Sequence, residues 1–241
     1  MTKPILTSLY VEYSNKGELA SPQLSVHQKN TSLSSHSTYG LRAEKRQKTY
    51  IKLVQKSVSH RRTIEGFIQQ QYKKHFDAEI QQFFPVLISV YHTSSDNLLA
   101  SVGIRYADQE DLFSEQYLAK PVEHLLGKQA GKKVQRSSVI ELGHFALAHR
   151  RHLVPVVRAI AQFIGQLRVD WAVYTLSQPM VNAVNRLQIP TQFLGFAEAD
   201  KLHDQDNNWG QYYHLNPAVY CSHTATAIKA IHQGRDSHGK H

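Results

Sequence analysis

Glu141 is the residue around which chemistry can be built in this chain, because it lies inside the apolar run VIELGHFAL (Val139–Leu147). An ionised carboxylate there is expensive to bury unless it is paired. The run reads as a buried strand. Strict alternation puts Glu141, Gly143, Phe145 and Leu147 on one face and His144 on the other. A bulge at Gly143, which glycine permits, would bring His144 round to the face of Glu141. Such a pair could serve as a general base or orient a nucleophilic amine. The competing reading is an ion pair between Glu141 and a buried arginine such as Arg105.

The next candidates are Arg150, Arg151 and His152 in AHRRH, just before a second apolar run. Basic side chains beside a helix start suit a phosphate or pyrophosphate, and a solvated basic loop is the plainer alternative. Trp209, Tyr212 and Tyr213, in WGQYY, could line an acyl or amine pocket and supply a hydroxyl proton, or could be core packing. His144, His149 and His152 are spaced 5 and 3 apart, without metal-ligand spacing, so no metal is expected. No GxSxG elbow, Walker loop or GxGxxG occurs. A single cysteine, Cys221, excludes internal disulfides and thiolate zinc ribbons.

The elements that must position these residues alternate between helices and strands. Thr63–Phe76 has helical apolar spacing, and Pro85–Tyr91 and Leu98–Tyr106 read as an antiparallel hairpin across HTSSDN. Asp111–Leu126 reads as a helix interrupted at Pro121, and GKQAGKKVQRSS as an exposed loop. After the Val139–Leu147 strand come a helix Leu153–Arg168, a strand Trp171–Thr175, a helix Pro179–Leu187, and strands Phe193–Phe196 and Tyr212–Tyr220. The expected architecture is an α/β sheet with helices on both faces.

Charge divides the chain. Residues 1–62 carry eleven Lys and Arg against three Glu, a net +8 of the chain's +9. Residues 1–49 therefore read as a basic, Ser/Thr-rich, flexible extension, 50–222 as the folded domain and 223–241 as a polar tail. The extension could contact anionic lipid, and it lacks the aromatic interleaving of RNA binders, so nucleic acid is not an expected partner. With no signal peptide of the usual form and no run of about 18 apolar residues, a cytoplasmic location is expected, or a secreted or membrane-associated one if the protein acts on membranes.

Three segments together resemble the thermostable haemolysin family: IRYADQEDLFSEQYLAKPVEHLL, VIELGHFAL, and Trp171–Leu187 with WGQYY. The resemblance spans about Tyr50–Cys221. That family is similar to the GNAT acyltransferase fold and, more distantly, to acyl-homoserine-lactone synthases. The resemblance implies a GNAT-like domain with a central mixed, mostly antiparallel sheet flanked by helices. It implies acyl transfer from acyl-CoA or an acyl carrier protein to a small amine acceptor. Val139–Leu147 would line the thioester, with the backbone N–H groups of Phe145, Ala146 and Leu147 polarising its carbonyl. Arg150, Arg151 and His152 would hold the donor phosphate. Glu141 would be the base or amine-orienting group, with His144 assisting. Tyr212 or Tyr213 would donate a proton, and Arg105 and Trp209 would face the substrate. AHRRHLV has no glycine where GNAT loops do, a departure from the usual form of CoA binding. Gly143 and His144 replace the Ser/Thr and Arg of the lactone synthases, and their N-terminal acidic cluster has no clear match, so lactone synthesis is not expected. A membrane-active haemolysin and an inactive acyl-binding module are the alternatives.

Overall fold

The computed structural model describes residues 11–12, 49–55, 60–203 and 208–233. The strands are β1 (Val11–Glu12), β2 (Thr49–Gln55), β3 (Val86–His92), β4 (Leu98–Tyr106), β5 (Val139–Leu147), β6 (Trp171–Leu176), β7 (Gln192–Phe196) and β8 (Ala218–His223). The helices are α1 (Arg61–Phe76), α2 (Val122–Ala130), α3 (Leu153–Ile164), α4 (Gln178–Arg186) and α5 (Thr224–Gln233). All lie in or around one sheet of order β1-β2-β3-β4-β5-β6-β8-β7. Every neighbouring pair is antiparallel except β5–β6. The mixed, mostly antiparallel sheet flanked by helices is thus present.

Alternation along the strands divides the core between the two faces. Ile51, Ile88, Val90, Ala100, Ile104 and Ile140 pack with Val156, Ile160 and Phe163 of α3. The spacing of those α3 residues makes one apolar stripe, and each large side chain so buried contributes about 2 kcal/mol. On the opposite face, Ile64, Ile68 and Tyr72 of α1 cover Tyr50, Val54, Leu87 and Tyr91. Beside them, Val122 and Leu126 of α2 cover Val139, Trp171 and Val173.

α1 is locked to the sheet by a buried arginine. The Arg61 guanidinium donates to the carbonyls of Val54, Phe84 and Pro85, and its Nε to Glu65 at 2.6 Å. That latch fixes Phe84, whose ring lies over Gly103 and Gly143. A Cβ at either glycine would stand 2.8 or 2.7 Å from Phe84 atoms.

Several sequence expectations need correction. Asp111–Leu126 is not one helix: Phe113–Tyr117 is a 3-10 turn, Leu118 is extended, and α2 begins after Pro121 and runs to Ala130, ending at Gly131 with φ +64°. Residues 127–130 therefore close a helix and do not open a loop. Tyr212–Tyr220 is not one strand either. Tyr212–Leu215 forms a 3-10 turn, Asn216 is left-handed, and β8 starts at Ala218. The cause is docking of the WGQYY segment on the end of α1, where Gln211 N–H donates to Phe76 O at 2.7 Å and Gly210 takes φ +52° against the carbonyls of Phe76 and Asp77.

At the C-terminal side, residues 223–241 do not begin as a tail. His223 ends β8, and α5 packs against α3, with Ile231 buried and the Thr224 hydroxyl donating to Val169 O at 2.5 Å. Residues 234–241 lie outside the described residues. So does most of the expected basic extension, apart from Val11–Glu12, which pair with Ile51 and Tyr50, and Thr49, which opens β2.

At the other end of the sheet β7 is an edge strand. A register shift lies between Phe193 and Gly195, and Phe193 and Phe196, both exposed, meet edge-to-face at 5.0 Å. No described helix is long and apolar enough to cross a membrane.

Candidate active site

β5 and β6 run in parallel register only from Val139↔Trp171 to Leu142↔Tyr174. Beyond that β5 continues to Leu147 beside β4 alone, while β6 stays with β8. The sheet parts between its parallel pair of strands.

A bulge sits where they part. Ser101 faces Ala146 and Gly103 faces Gly143, so β5 carries an extra residue opposite Val102. The left-handed conformation belongs to His144, at φ +52°, and not to Gly143. Imidazole tolerates that conformation better than a β-branched side chain would. Gly143 is needed for space beneath Phe84. After the bulge Phe145 and Leu147 turn to the α3 face with Ile140 and Leu142, which corrects the strict alternation. His144 lies among Phe84, Phe83 and Tyr72, at ring distances of 4.8, 5.7 and 6.3 Å. These rings cover the face of the sheet that carries Glu141.

Glu141 is 2% exposed. Its Oε2 accepts the Phe113 N–H at 2.7 Å and its Oε1 the Ser114 N–H at 2.8 Å, at the start of the 3-10 turn. Arg105 is its cross-strand neighbour, yet the guanidinium goes to Asp111 O at 3.0 Å and to Glu110 at 3.4 Å. Burial pushes the Glu141 carboxyl up to about 7, against Ser114, the charge of Arg105 and the Phe113 N–H, which favour ionisation. Burial, with the charges of Arg105 and Arg61, holds His144 down to about 3, so its imidazole is neutral.

Aromatic rings join these groups. Trp209 lies 6.4 Å from Tyr72, 5.7 Å from Phe113, 5.8 Å from Tyr212 and 6.3 Å from Tyr213. Tyr213 and Tyr117 share a hydroxyl–hydroxyl hydrogen bond of 2.6 Å, and the Tyr212 hydroxyl donates to Thr175 O at 3.4 Å. Burial raises the Tyr212 and Tyr117 hydroxyls well above the ordinary tyrosine value, so both stay protonated. Five buried polar atoms here make no hydrogen bond: Arg105 Nε, Ser114 Oγ, His144 Nδ1, Thr175 Oγ1 and Trp209 Nε1. Buried polar groups are normally satisfied, so these are places where a ligand's polar groups would be stabilised.

Glu141, His144, Arg105, Trp209, Tyr212 and Tyr213 therefore share one face of the sheet. Arg150, Arg151 and His152 stand apart, past the far end of β5. Arg150 and Arg151 are exposed and His152 is buried, with Arg151 Nε donating to His152 Nε2 at 3.2 Å. The N–H groups of His152 and Leu153 are taken by His149 O and Arg150 O. An anion at this loop would meet side chains more than main chain. Phe84, Phe113, Ser114, Tyr117 and Thr175 escape a reading by local pattern. The only sequence signal for three of them is the segment FSEQYLAKPVE. Among the described residues no three His, Cys, Asp or Glu side chains gather as metal ligands.

A mixed sheet that opens beside a bulged central strand is the framework of the GNAT-like acyltransferase fold. Solved structures of that kind are similar to this chain. FeeM, an N-acyl amino acid synthase from uncultured soil microbes, has a TM-score of 0.54 at 11% identity, over 79% of this chain and 99% of that one. The AHL synthase LasI has 0.52 at 9%, over 78% and 96%, and TofI in an apo form 0.50 at 13%, over 76% and 95%. At these identities the likeness is one of fold. Residues 54–228 match the family model described as thermostable hemolysin, and the chain belongs to that family. No curated protein matches the sequence.

Proposed function

We propose that this protein is an acyltransferase that moves an acyl group from the thioester of CoA or an acyl carrier protein to a small amine. The observation that carries the reading is the coincidence, on one face of the sheet, of the β5–β6 parting, the bulge at His144, the buried Glu141 carboxyl and five unsatisfied polar atoms. The naming of FeeM and LasI as an N-acyl amino acid synthase and an AHL synthase supports it.

In this reading the amine nitrogen attacks the thioester carbonyl carbon, and Glu141 takes the proton that nitrogen loses. A carboxyl near 7 suits a base working at neutral pH. Ala148 N–H pairs with Leu99 O, so ladder alternation turns the N–H of Ala146 toward β4 and those of Phe145 and Leu147 toward the parting. The latter two are the donors for the oxyanion. When the C–S bond breaks, the thiolate is protonated through the Tyr212 or Tyr213 hydroxyl, with Glu141 as the proton's source. His144, neutral throughout, orients a polar group through Nδ1. Trp209 and Arg105 border the acceptor, and Arg150 and Arg151 meet the donor phosphate.

Single-turnover assays with a panel of acyl-CoA and acyl-carrier thioesters against amines test this. Wild type should form amide, and Glu141→Gln should lose about 10²-fold or more. Absence of any amide with wild type would overturn the reading, and an unchanged rate in Glu141→Gln would overturn the role of Glu141.

A further inference from the structure

The Glu141 carboxylate holds only one end of the segment that covers it. Its two hydrogen bonds come from Phe113 and Ser114, the first residues of the 3-10 turn. A second hold, beside the Tyr117–Tyr213 hydrogen bond, is Glu115, which is half-buried. Its Oε2 accepts Leu112 N–H at 2.9 Å, and its Oε1 accepts Val122 N–H, also at 2.9 Å. Glu115 therefore ties the residue just before the turn to the start of α2.

Arg136 clamps Glu115 in fork geometry, Nη1 to Oε1 at 2.7 Å and Nη2 to Oε2 at 2.9 Å. It also donates to Glu123 at 2.8 Å and, through Nε, to Ala107 O at 2.7 Å. Burial works against the Glu115 carboxylate, but Arg136 and the two N–H groups hold it ionised, below the ordinary range. Arg136 opens the short turn Arg136–Ser138 that leads directly into β5. One stretch of chain, 136–141, thus supplies two grips on the Phe113–Tyr117 turn: a guanidinium that fixes Glu115 and a carboxylate that fixes Phe113 and Ser114.

We infer that Arg136, acting through Glu115, is a positioning residue that keeps the Phe113 and Ser114 N–H donors on Glu141 and so sets the protonation of that carboxyl. This deepens the acyl-transfer reading and rests on it for its catalytic meaning, though not for its geometry. A planar fork is required: lysine keeps the charge but cannot bind both Glu115 oxygens while also reaching Glu123 and Ala107. Nothing about the link requires Arg136 to touch substrate.

The test is direct titration of the Glu141 carboxyl by carbon-detected NMR of Glu-labelled full-length protein, assigned with Glu141→Gln. Arg136→Lys and Glu115→Gln are compared with wild type, with folding checked by the amide spectrum. Loss of hydrogen bonds that favour the ionised form should move the midpoint upward by about one pH unit in both variants. The double variant should move no further than either single one. An unmoved or lowered midpoint in well-folded Arg136→Lys would overturn the inference and leave Arg136 a purely structural residue. Because the midpoint is read without turnover, a failure of the acyl-transfer reading shows separately, as absence of amide product.

Discussion

Arg105 and Glu141 stand opposite each other across β4 and β5 on the same face, Glu141 buried and Arg105 partly exposed, and they do not pair. Glu141 spends its oxygens on two backbone N–H groups, and Arg105 turns its fork to Asp111 and Glu110 while stacking over Phe84 at 4.6 Å. Its positive charge still favours the ionised carboxyl. Replacing Arg105 with Gln should therefore raise the Glu141 midpoint above about 7, by roughly half a unit to one unit. A titration of the labelled carboxyl reads this, and a fall in midpoint contradicts it.

Stability should depend on pH through two opposed groups. Glu141 is raised from 4.5 to about 7, so between those values the folded state holds the extra proton and stability falls as pH rises. His144 is lowered from 6.5 to about 3, so between those values the unfolded state holds the extra proton and stability falls as pH drops. From 4.5 to 6.5 the two slopes cancel. His144→Asn, which keeps a side chain tolerant of positive φ, removes one of them. Its stability relative to wild type should decline by roughly 3 kcal/mol between pH 4.5 and 6.5, measured by urea denaturation across that range.

Gly143→Ala places a methyl group 2.7 Å from the ring of Phe84, whose backbone carbonyl Arg61 holds. The expected loss is about 1–3 kcal/mol. Combining it with Phe84→Leu should be less destabilising than the two losses added, because both act on the same contact. Additive losses in thermal melts would mean that the ring moves freely.

Arg61→Ala leaves the carbonyls of Val54, Phe84 and Pro85 without their donors in a buried setting. A loss of about 3–5 kcal/mol is expected. Arg61→Lys should recover little of it, since one ammonium cannot reach three carbonyls and Glu65 in that arrangement. Denaturant midpoints of the two variants decide the point.

The strongly periodic parts of this fold are legible in sequence. VIELGHFAL, the hairpin across HTSSDN and the apolar stripe of α3 each bury one face, and their spacing shows it. α5 hid because TATAIKAIHQ offers only Ile228 and Ile231 as an apolar stripe between Thr, Ala and His. The Phe113–Tyr117 turn was not legible for another reason. Its conformation is set by Glu141, 28 residues away, and its Tyr117 by Tyr213, 96 residues away. A local pattern cannot encode a partner at that distance, so the motif was visible while its work was not. At the bulge the sequence offered glycine for backbone freedom. The fold uses Gly143 for room beneath Phe84 and lets His144 take the rare conformation.

The edge strand β7 should set a limit on concentration. From Leu187 to Ala197 the chain carries no charged residue, so no charge on this edge repels a neighbouring strand. Two exposed phenylalanines flank its register shift. Crowded solutions of this protein should therefore associate first through that edge, and a lysine at position 196 would be the simplest way to keep them clear.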